Sequence, residues 1–173
     1  AGDDRFSVWL TDQDAFKDGA WLAGGDGVDT ASIWTGANQI RLDGRALNGF
    51  ERIQFYGRAD LKLTDDVAAA DPAGGFFEIT RAPGGGSARI DAAAETDARL
   101  KFYSGGSADW FRGGALGDVF DLREDGGYGA SSADTAIGGG GDDVVLASHD
   151  LLIDGGSADG GGGSDLLRLL DHG

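Results

Sequence analysis

The chain of 173 residues contains no cysteine and no methionine, and the acidic residues include very few glutamates. The absence of cysteine excludes disulfide scaffolds and thiolate metal sites. There is no apolar run of about eighteen residues, the length a transmembrane helix requires, and no charged-then-apolar signal region at the start. Because the chain opens at Ala1 without an initiator methionine, we expect a processed product or a piece of a longer protein.

Basic residues are also scarce, since 14 Lys and Arg face 30 Asp and Glu and leave a net charge of −16. A polyanion of this kind does not seek nucleic acid or an anionic membrane, because both carry the same sign of charge. Its natural partners are cations. The 33 glycines are typical of linkers, but 40% hydrophobic residues and nine phenylalanines predict a buried core.

Acid and glycine are concentrated together in the last part of the chain. Residues 101–173 hold thirteen acidic and four basic residues and nineteen of the glycines, whereas residues 40–100 are nearly neutral. A repeated motif explains the coincidence. Good matches to the nonapeptide G-G-x-G-x-D-x-U-x, where U is apolar, start at Gly24, Gly138 and Gly160.

Weaker copies of the nonapeptide surround the good ones. Ser104–Arg112, Gly113–Asp121 and Gly129–Ile137 keep the Asp position, and residues 1–6 read as a copy without its first glycines. Two copies depart from the pattern, with Asn38 in place of Asp and Ser107 in place of the third glycine.

These copies resemble the hemolysin-type, or RTX, calcium-binding repeats of secreted bacterial proteins. The resemblance implies an all-β fold, a parallel β-roll in which six residues form a calcium-ligating turn and three form a short strand with U pointing inward. It implies carboxylate ligands to Ca²⁺ at Asp29, Asp109, Asp118, Asp134, Asp143 and Asp165. It further implies turn geometry and carbonyl ligands from Gly25, Gly27, Gly139 and Gly141.

Elementary chemistry agrees with what the resemblance implies. Glycine permits positive-φ turns, and Ca²⁺ takes six to eight oxygen ligands. Rows of Asp at a strand spacing of ~4.8 Å repel one another without a cation, so folding should be coupled to the ion. Nonapeptides nine residues apart should lie on opposite sides of a flattened coil, with ions shared between turns about eighteen residues apart.

A flexible Gly/Asp linker is the alternative interpretation of the same residues. It is disfavoured because the U positions carry large apolar residues in phase with the Asp, namely Phe6, Phe111, Phe120, Val145 and Leu167. A linker has no reason to keep that phase.

Residues 40–103 lack the nonapeptide but contain apolar i, i+2 pairs, which predict strands with one apolar face. The pairs are Ile40 and Leu42, Ile53 and Phe55, Leu61 and Leu63, Phe77 and Ile79, Ala88 and Ile90, and Leu100 and Phe102. We expect an irregular β-solenoid, interrupted by a short helix over residues 64–72 with Thr64 as its cap and Pro72 as its stop. A β-sandwich is the alternative fold.

The chain thus divides into RTX-like calcium-binding turns over residues 1–39, a β-solenoid segment over 40–103 and an RTX β-roll over 104–173. A shift of 114 residues places Asp4 on Asp118, the Gly24 turn on the Gly138 turn, and Glu51 on Asp165. The coincidence suggests about one and a half copies of a tandem module, which would suit a fibre, a surface layer or a long adhesin.

The inventory for catalysis is thin. His149 lies in the string Ser148-His149-Asp150, but adjacent residues on a strand point to opposite faces and form no relay, and His172 reads as a surface residue. A β-helix polysaccharide lyase would use an arginine base, and candidate arginines lie near Asp43, Glu51 and Asp60: Arg41, Arg45, Arg52 and Arg58. The same arginines read equally as partners of acids on a solvated face.

The sequence therefore predicts a non-enzymatic, calcium-stabilised module of a type I secreted or cell-surface bacterial protein, such as an adhesin or filament, that folds after export. Expected partners are calcium ions and neighbouring copies of the module, with no nucleic acid and no membrane insertion. The alternative is the carboxy-terminal calcium domain of a secreted protease, lipase or epimerase.

Overall fold

The structure is a computed structural model of the chain. It describes residues 2–10, 21–42, 47–65, 75–82, 85–123, 133–148, 151 and 154–170, with the backbone alone for 36–42.

The described residues form fourteen strands, most of them short, and many of the turns between them contain glycine. The strands are β1 (Arg5–Trp9), β2 (Leu22–Ala23), β3 (Thr30–Leu42), β4 (Leu47–Asn48), β5 (Arg52–Thr64), β6 (Phe77–Arg81), β7 (Ala88–Ala94), β8 (Leu100–Tyr103), β9 (Trp110–Arg112), β10 (Val119–Leu122), β11 (Thr135–Ile137), β12 (Val144–Ser148), β13 (Ser157–Asp159) and β14 (Leu166–Leu170).

The strands pair in parallel and coil into a β-solenoid. One 12-stranded sheet follows the path β13-β11-β9-β7-β5-β6-β8-β10-β12-β14, with β3 also on β5 and β1 on β3. The long strand β5 pairs with β6 through Arg52–Phe55 and with β7 through Ala59–Thr64, so it belongs to both faces of the coil. Parallel pairing confirms the predicted solenoid and rules out the sandwich, whose hairpins pair antiparallel.

Along the central strands β5 to β8, every second side chain points inward and stacks on the residue of the next rung. On one face the inward column is Phe6, Ala31, Ile53, Ile79, Phe102, Phe120, Val145 and Leu167. The predicted U positions Phe111, Phe120 and Val145 lie in the core, whereas Leu167 on the last described rung stays 47% exposed. The phase between apolar and acidic residues therefore reflects a packed coil.

The alternating pairs of the middle segment also lie on strands as predicted, from Ile40 and Leu42 in β3 to Leu100 and Phe102 in β8. Thr64, expected to cap a short helix, is instead the last residue of β5. Asp65, the next residue of the predicted helix, lies in a turn. Residues 66–72, which make up the remainder of that helix, lie outside the described part of the chain.

The rung length differs from the expected eighteen residues at most positions. Val119 pairs with Lys101, eighteen residues earlier, but it also pairs with Val144, 25 residues later, and Val144 pairs with Leu166, a further 22. Asp109 and Asp118, nine residues apart, do precede strands on opposite faces, β9 and β10. The longer rungs carry extra residues in their connections.

The strand register repeats after 114 residues. Phe6 pairs with Ala31 and Ala31 with Ile53, and the same spacings recur where Phe120 pairs with Val145 and Val145 with Leu167. A tandem module with this period stays a prediction.

An aromatic ladder, formed by Trp9, Trp34 and Tyr56, runs along β1, β3 and β5. The ring centroids of Trp9 and Trp34 are 4.8 Å apart, and those of Trp34 and Tyr56 are 4.4 Å apart. Trp9 is 72% exposed, so the ladder lies on the outside of the coil. Stacked pairs of this kind contribute about 0.5–1.5 kcal/mol each beyond area burial.

Candidate metal centre

Three of the predicted ligands stand at equivalent points of successive rungs. Asp118, Asp143 and Asp165 each occupy the position directly before a strand, and the strands that follow, β10, β12 and β14, are paired neighbours. The three carboxylates therefore form one row, called here the C-terminal aspartate ladder.

Hydrogen bonds hold this ladder in place. The backbone N–H of Leu100 donates to Oδ1 of Asp118 at 2.7 Å, that of Asp118 donates to Oδ1 of Asp143 at 2.7 Å, and that of Asp143 donates to Oδ1 of Asp165 at 3.0 Å. Each carboxylate thus uses one oxygen to satisfy an amide of the preceding rung. Oδ2 of Asp118 accepts from the backbone N–H of Gly114 at 2.8 Å, which makes Asp143 the buried member of this ladder whose second oxygen is left for another partner.

The second oxygens lie against the first glycine of each turn. Oδ2 of Asp143 is buried without a hydrogen-bond partner among the described atoms. A Cβ placed on Gly138 would lie 2.1 Å from that oxygen and 2.1 Å from the carbonyl oxygen of Gly160. At Gly113 it would lie 2.3 Å from Oδ2 of Asp118 and 2.2 Å from the carbonyl oxygen of Gly138. Carboxylate and carbonyl oxygens therefore converge at these glycines, which leaves no room for a side chain.

A second row with the same contacts, the N-terminal acidic ladder, is formed by Asp4, Asp29 and Glu51. The N–H of Asp4 donates to Oδ1 of Asp29, and the N–H of Asp29 donates to Oε2 of Glu51, both at 2.7 Å. Oδ2 of Asp29 is buried without a hydrogen-bond partner among the described atoms. The motif search missed Glu51 as a member, although the 114-residue shift places it on Asp165.

The four glycines predicted to shape the turns adopt left-handed backbone conformations. Their φ values are 105° at Gly25, 137° at Gly27, 103° at Gly139 and 90° at Gly141. Residues with a Cβ rarely adopt such values, so glycine is required there. These four glycines therefore lie in left-handed turns, while the role of their carbonyls as metal ligands stays a prediction.

The stacked turns also bring glycines of one turn close to backbone carbonyl oxygens of the neighbouring turn. A Cβ on Gly139 would lie 2.4 Å from the carbonyl oxygen of Gly114, and one on Gly163 would lie 2.0 Å from that of Gly141. A hard cation can use carbonyl oxygens together with carboxylates. The chemistry of the donor set, carboxylate and carbonyl oxygen without nitrogen or sulfur, therefore fits Ca²⁺ at both ladders.

Asp109 and Asp134, the two predicted ligands on the opposite face, lie in a different environment. The N–H of Ala88 donates to Oδ1 of Asp109 at 2.6 Å, and the N–H of Asp109 donates to Oδ1 of Asp134 at 2.8 Å. The hydrogen-bond pattern matches the ladders. However, Nε of Arg81 lies 3.5 Å from Oδ1 of Asp109, and both side chains are fully buried.

Arg81 therefore supplies a positive charge where the motif predicts a metal ion. It stands at an inward position of β6, paired with Phe55, and its Nη1 donates to the carbonyl oxygen of Gly57 at 2.5 Å. Burial raises the pKa of Asp109, and the guanidinium opposes that rise. The predicted calcium ligation by Asp109 competes with this ion pair, a competition the sequence did not indicate.

Burial and mutual repulsion shift Asp118 and Asp143 toward their protonated forms. Burial, reinforced by the charge of Asp143, raises the pKa of Asp118 to about 7, although the amides of Leu100 and Gly114 oppose the shift. Burial, together with the charges of Asp165 and Asp142, raises the pKa of Asp143 to about 6. The ladder is thus unfavourable as a row of bare anions at neutral pH.

We expect the ion-free protein to become more stable on acidification. Carboxyl groups whose pKa is higher in the folded chain bind more protons when folded, so the free energy of unfolding falls as pH rises from about 4 to about 7. Far-ultraviolet circular dichroism of the chain in chelator across this range measures how the folded fraction falls as pH rises. Asp143→Asn should weaken this pH dependence, because the amide does not titrate, whereas Asp154→Asn at an exposed position should leave it unchanged. A stability that rises with pH in chelator would contradict this expectation.

The described residues do not bring together a catalytic site for either alternative, the Ser148-His149-Asp150 string or the lyase arginines. Ser148 is a buried residue of β12, and His149, Asp150, His172, Asp43 and Arg45 lie outside the described part. Glu51 is buried in the N-terminal ladder, and Nε of Arg52 pairs with Glu78 at 3.1 Å on the surface. Glu51 and Arg52 therefore have structural partners.

Fold and site together define a parallel β-solenoid whose turns stack acidic residues, most of them buried, in rows. No protein-family model matches the chain, and no curated protein or solved structure matches it either. The described residues include no helix with the length and hydropathy needed to cross a membrane.

Proposed function

We propose that the chain is a calcium-binding module of a secreted or surface-exposed bacterial protein, related to the RTX repeats, in which Ca²⁺ bound by the stacked turns holds the β-roll together. The module is proposed to be structural, without catalytic activity of its own. Its partners are calcium ions and neighbouring copies of the same module.

The observation that carries the proposal is the pair of buried, unpartnered carboxylate oxygens at Asp29 and Asp143. Each lies beside a glycine turn at which a carbonyl oxygen of the next rung also converges, that of Gly49 in one ladder and that of Gly160 in the other. A buried anion without a partner is costly, and a cation shared with the carbonyls offsets that cost.

The size of the repulsion supports the same conclusion. Two carboxylates one strand spacing apart, about 4.8 Å, repel by about 3 kcal/mol at an effective dielectric constant of about 20. Each ladder stacks three acidic residues, and the whole chain carries a net charge of −16. When bound, Ca²⁺ would supply the charge that this row lacks, with Asp118, Asp143 and Asp165 as carboxylate ligands in one ladder and Asp29 in the other.

Export and folding are linked in this proposal through calcium supply. Extracellular calcium modules bind with dissociation constants of roughly 10⁻⁴–10⁻³ M, so their sites are empty in the cytosol and filled outside the cell.

The apolar residues Leu166, Leu167 and Leu169 on β14 are 54%, 47% and 45% exposed and offer a surface to a neighbouring copy.

Calcium binding by the isolated chain tests the proposal directly. Equilibrium dialysis should detect several bound ions, with dissociation constants of roughly 10⁻⁴–10⁻³ M. Magnesium should not replace them, because it demands a tight octahedral shell and keeps its waters. Asp143→Asn should reduce the number of bound ions, since it removes one charge from the ladder.

Asp154→Asn is the matched control, because Asp154 is exposed and belongs to neither ladder. It should bind as many ions as the unmodified chain. A chain that binds no calcium up to about 10 mM, ten times the upper end of the expected range, would overturn the proposal.

A further inference from the structure

A third group of carboxylates lies where β5 ends beside the turn that follows β7. Thr64 at the end of β5 pairs with Ala94 at the end of β7, so the next residues, Asp65 and Glu95, are brought together. Asp97 lies two residues further along the same turn. The junction thus unites acids that are about thirty residues apart in sequence.

The three side chains can surround one ion. One carboxylate oxygen from each of Asp65, Glu95 and Asp97 lies within 4.8 Å of the others. Ca²⁺ binds oxygen at about 2.3–2.6 Å, so two ligands on opposite sides of its shell are about 4.6–5.2 Å apart. The observed separations fall within that limit.

The environment of Glu95 gives a second reason, besides the clustering of the carboxylates, to expect a bound cation. Its side chain is fully buried, and Oε2 has no hydrogen-bond partner among the described atoms. Oε1 accepts from the backbone N–H of Asp97 at 3.1 Å and from that of Ala98 at 3.0 Å, so the carboxylate is fixed with one oxygen unused. Burial of this carboxyl, with smaller contributions from Asp97 and Asp65, raises its pKa to about 7.

Thr96 fixes Asp65 on the other side of the group. The N–H of Thr96 donates to Oδ1 of Asp65 at 2.6 Å, and its hydroxyl donates to Oδ2 at 3.0 Å. None of the ion pairs formed by the described Lys and Arg residues involves Asp65, Glu95 or Asp97. The positive charge that three adjacent carboxylates require is therefore not supplied by the described part of the chain.

We propose that Asp65, Glu95 and Asp97 form a separate binding site for a divalent cation, Ca²⁺, at the junction of β5 with the β7–β8 turn. The site is not a nonapeptide site. Lys101 pairs with Val119, so the two rungs align with an offset of eighteen residues. At this offset Glu95 and Thr96 replace the first two glycines of the nonapeptide, Gly113 and Gly114. Leu100 replaces its aspartate, Asp118. The exposed positions of Asp65 and Asp97 leave room for water to complete the shell.

The test is a count of bound ions with CaCl₂ as the probe. Equilibrium dialysis of Glu95→Gln should show one ion fewer than the unmodified chain, with the ions of the two ladders retained. Glu78→Gln is the matched control, because Glu78 pairs with Arg52 on the surface, and it should lose none.

Asp97→Asn serves if Glu95→Gln fails to fold, because Asp97 is exposed. It should weaken one calcium site by about tenfold or more, since even changes outside the ligand shell cost 10–100-fold in metal affinity. An unchanged ion count and unchanged affinities in both variants would overturn the inference.

The two proposals fail separately. If Asp143→Asn changes nothing while Glu95→Gln removes an ion, the ladders do not bind calcium and this site does. If Asp143→Asn lowers the ion count and Glu95→Gln leaves it intact, the ladders bind calcium and the junction holds only a proton.

Discussion

Transfer of the protein from millimolar calcium into chelator at neutral pH should abolish most of its β structure. A site with a dissociation constant of about 10⁻⁴ M, the tighter end of the expected range, is saturated a hundredfold at about 10 mM calcium and then stabilises the fold by about 2.7 kcal/mol, so three such sites contribute about 8 kcal/mol. That is comparable with the whole stability of a domain, about 5–15 kcal/mol. Far-ultraviolet circular dichroism during a calcium titration measures the transition.

Magnesium at equal concentration separates specific binding from general screening of the charge of −16. With magnesium the spectrum should remain that of an unfolded chain, whereas calcium should restore the β spectrum. The midpoint should move to higher calcium in Asp143→Asn and stay in place in Asp154→Asn. A spectrum with full β content in chelator at pH 7 would be incompatible with coupled folding and binding.

Replacing Arg81 with methionine should be the most damaging single substitution outside the turns. It leaves the carboxylate of Asp109 buried without its counter-charge, and breaking a buried ion pair in this way costs about 3–5 kcal/mol. Urea denaturation in saturating calcium measures the loss. The double variant Arg81→Met, Asp109→Asn should recover most of it, because no unpaired charge then remains.

Arg52→Met is the control for the loss of an arginine, since Arg52 pairs with Glu78 at the surface. Surface pairs contribute about 0–1 kcal/mol, so this variant should unfold close to the unmodified protein. Equal losses in Arg81→Met and Arg52→Met would show that Arg81 does not neutralise Asp109.

The architecture could be predicted from the sequence because its signals are local. The signals are the alternating apolar pairs, the phase of U with Asp, and the glycine positions. Each of them lies within nine residues, and a stretch of that length is enough to specify a strand or a turn. The inward column through Phe120 and Val145 and the positive φ of Gly139 follow from such patterns. Register between rungs does not, because connections of variable length set it.

The parts of the site that depend on register were therefore not predicted. Arg81 reads as an ordinary strand residue until the coil places its guanidinium beside Asp109. Asp65 and Glu95 have no shared motif and meet only because Thr64 pairs with Ala94. The eighteen-residue repeat failed as a general rule for the same reason, since most rungs are longer than two nonapeptides.

The ladder of Trp9, Trp34 and Tyr56 gives the molecule a built-in optical probe. Indole and phenol rings stacked at 4.8 Å and 4.4 Å couple their electronic transitions, and this coupling disappears as soon as the first rungs separate. Trp110, covered by the guanidinium of Arg89 at 4.2 Å on the other face, lies outside this stack. Near-ultraviolet circular dichroism can thus distinguish local unfolding of the first rungs from unfolding of the whole coil.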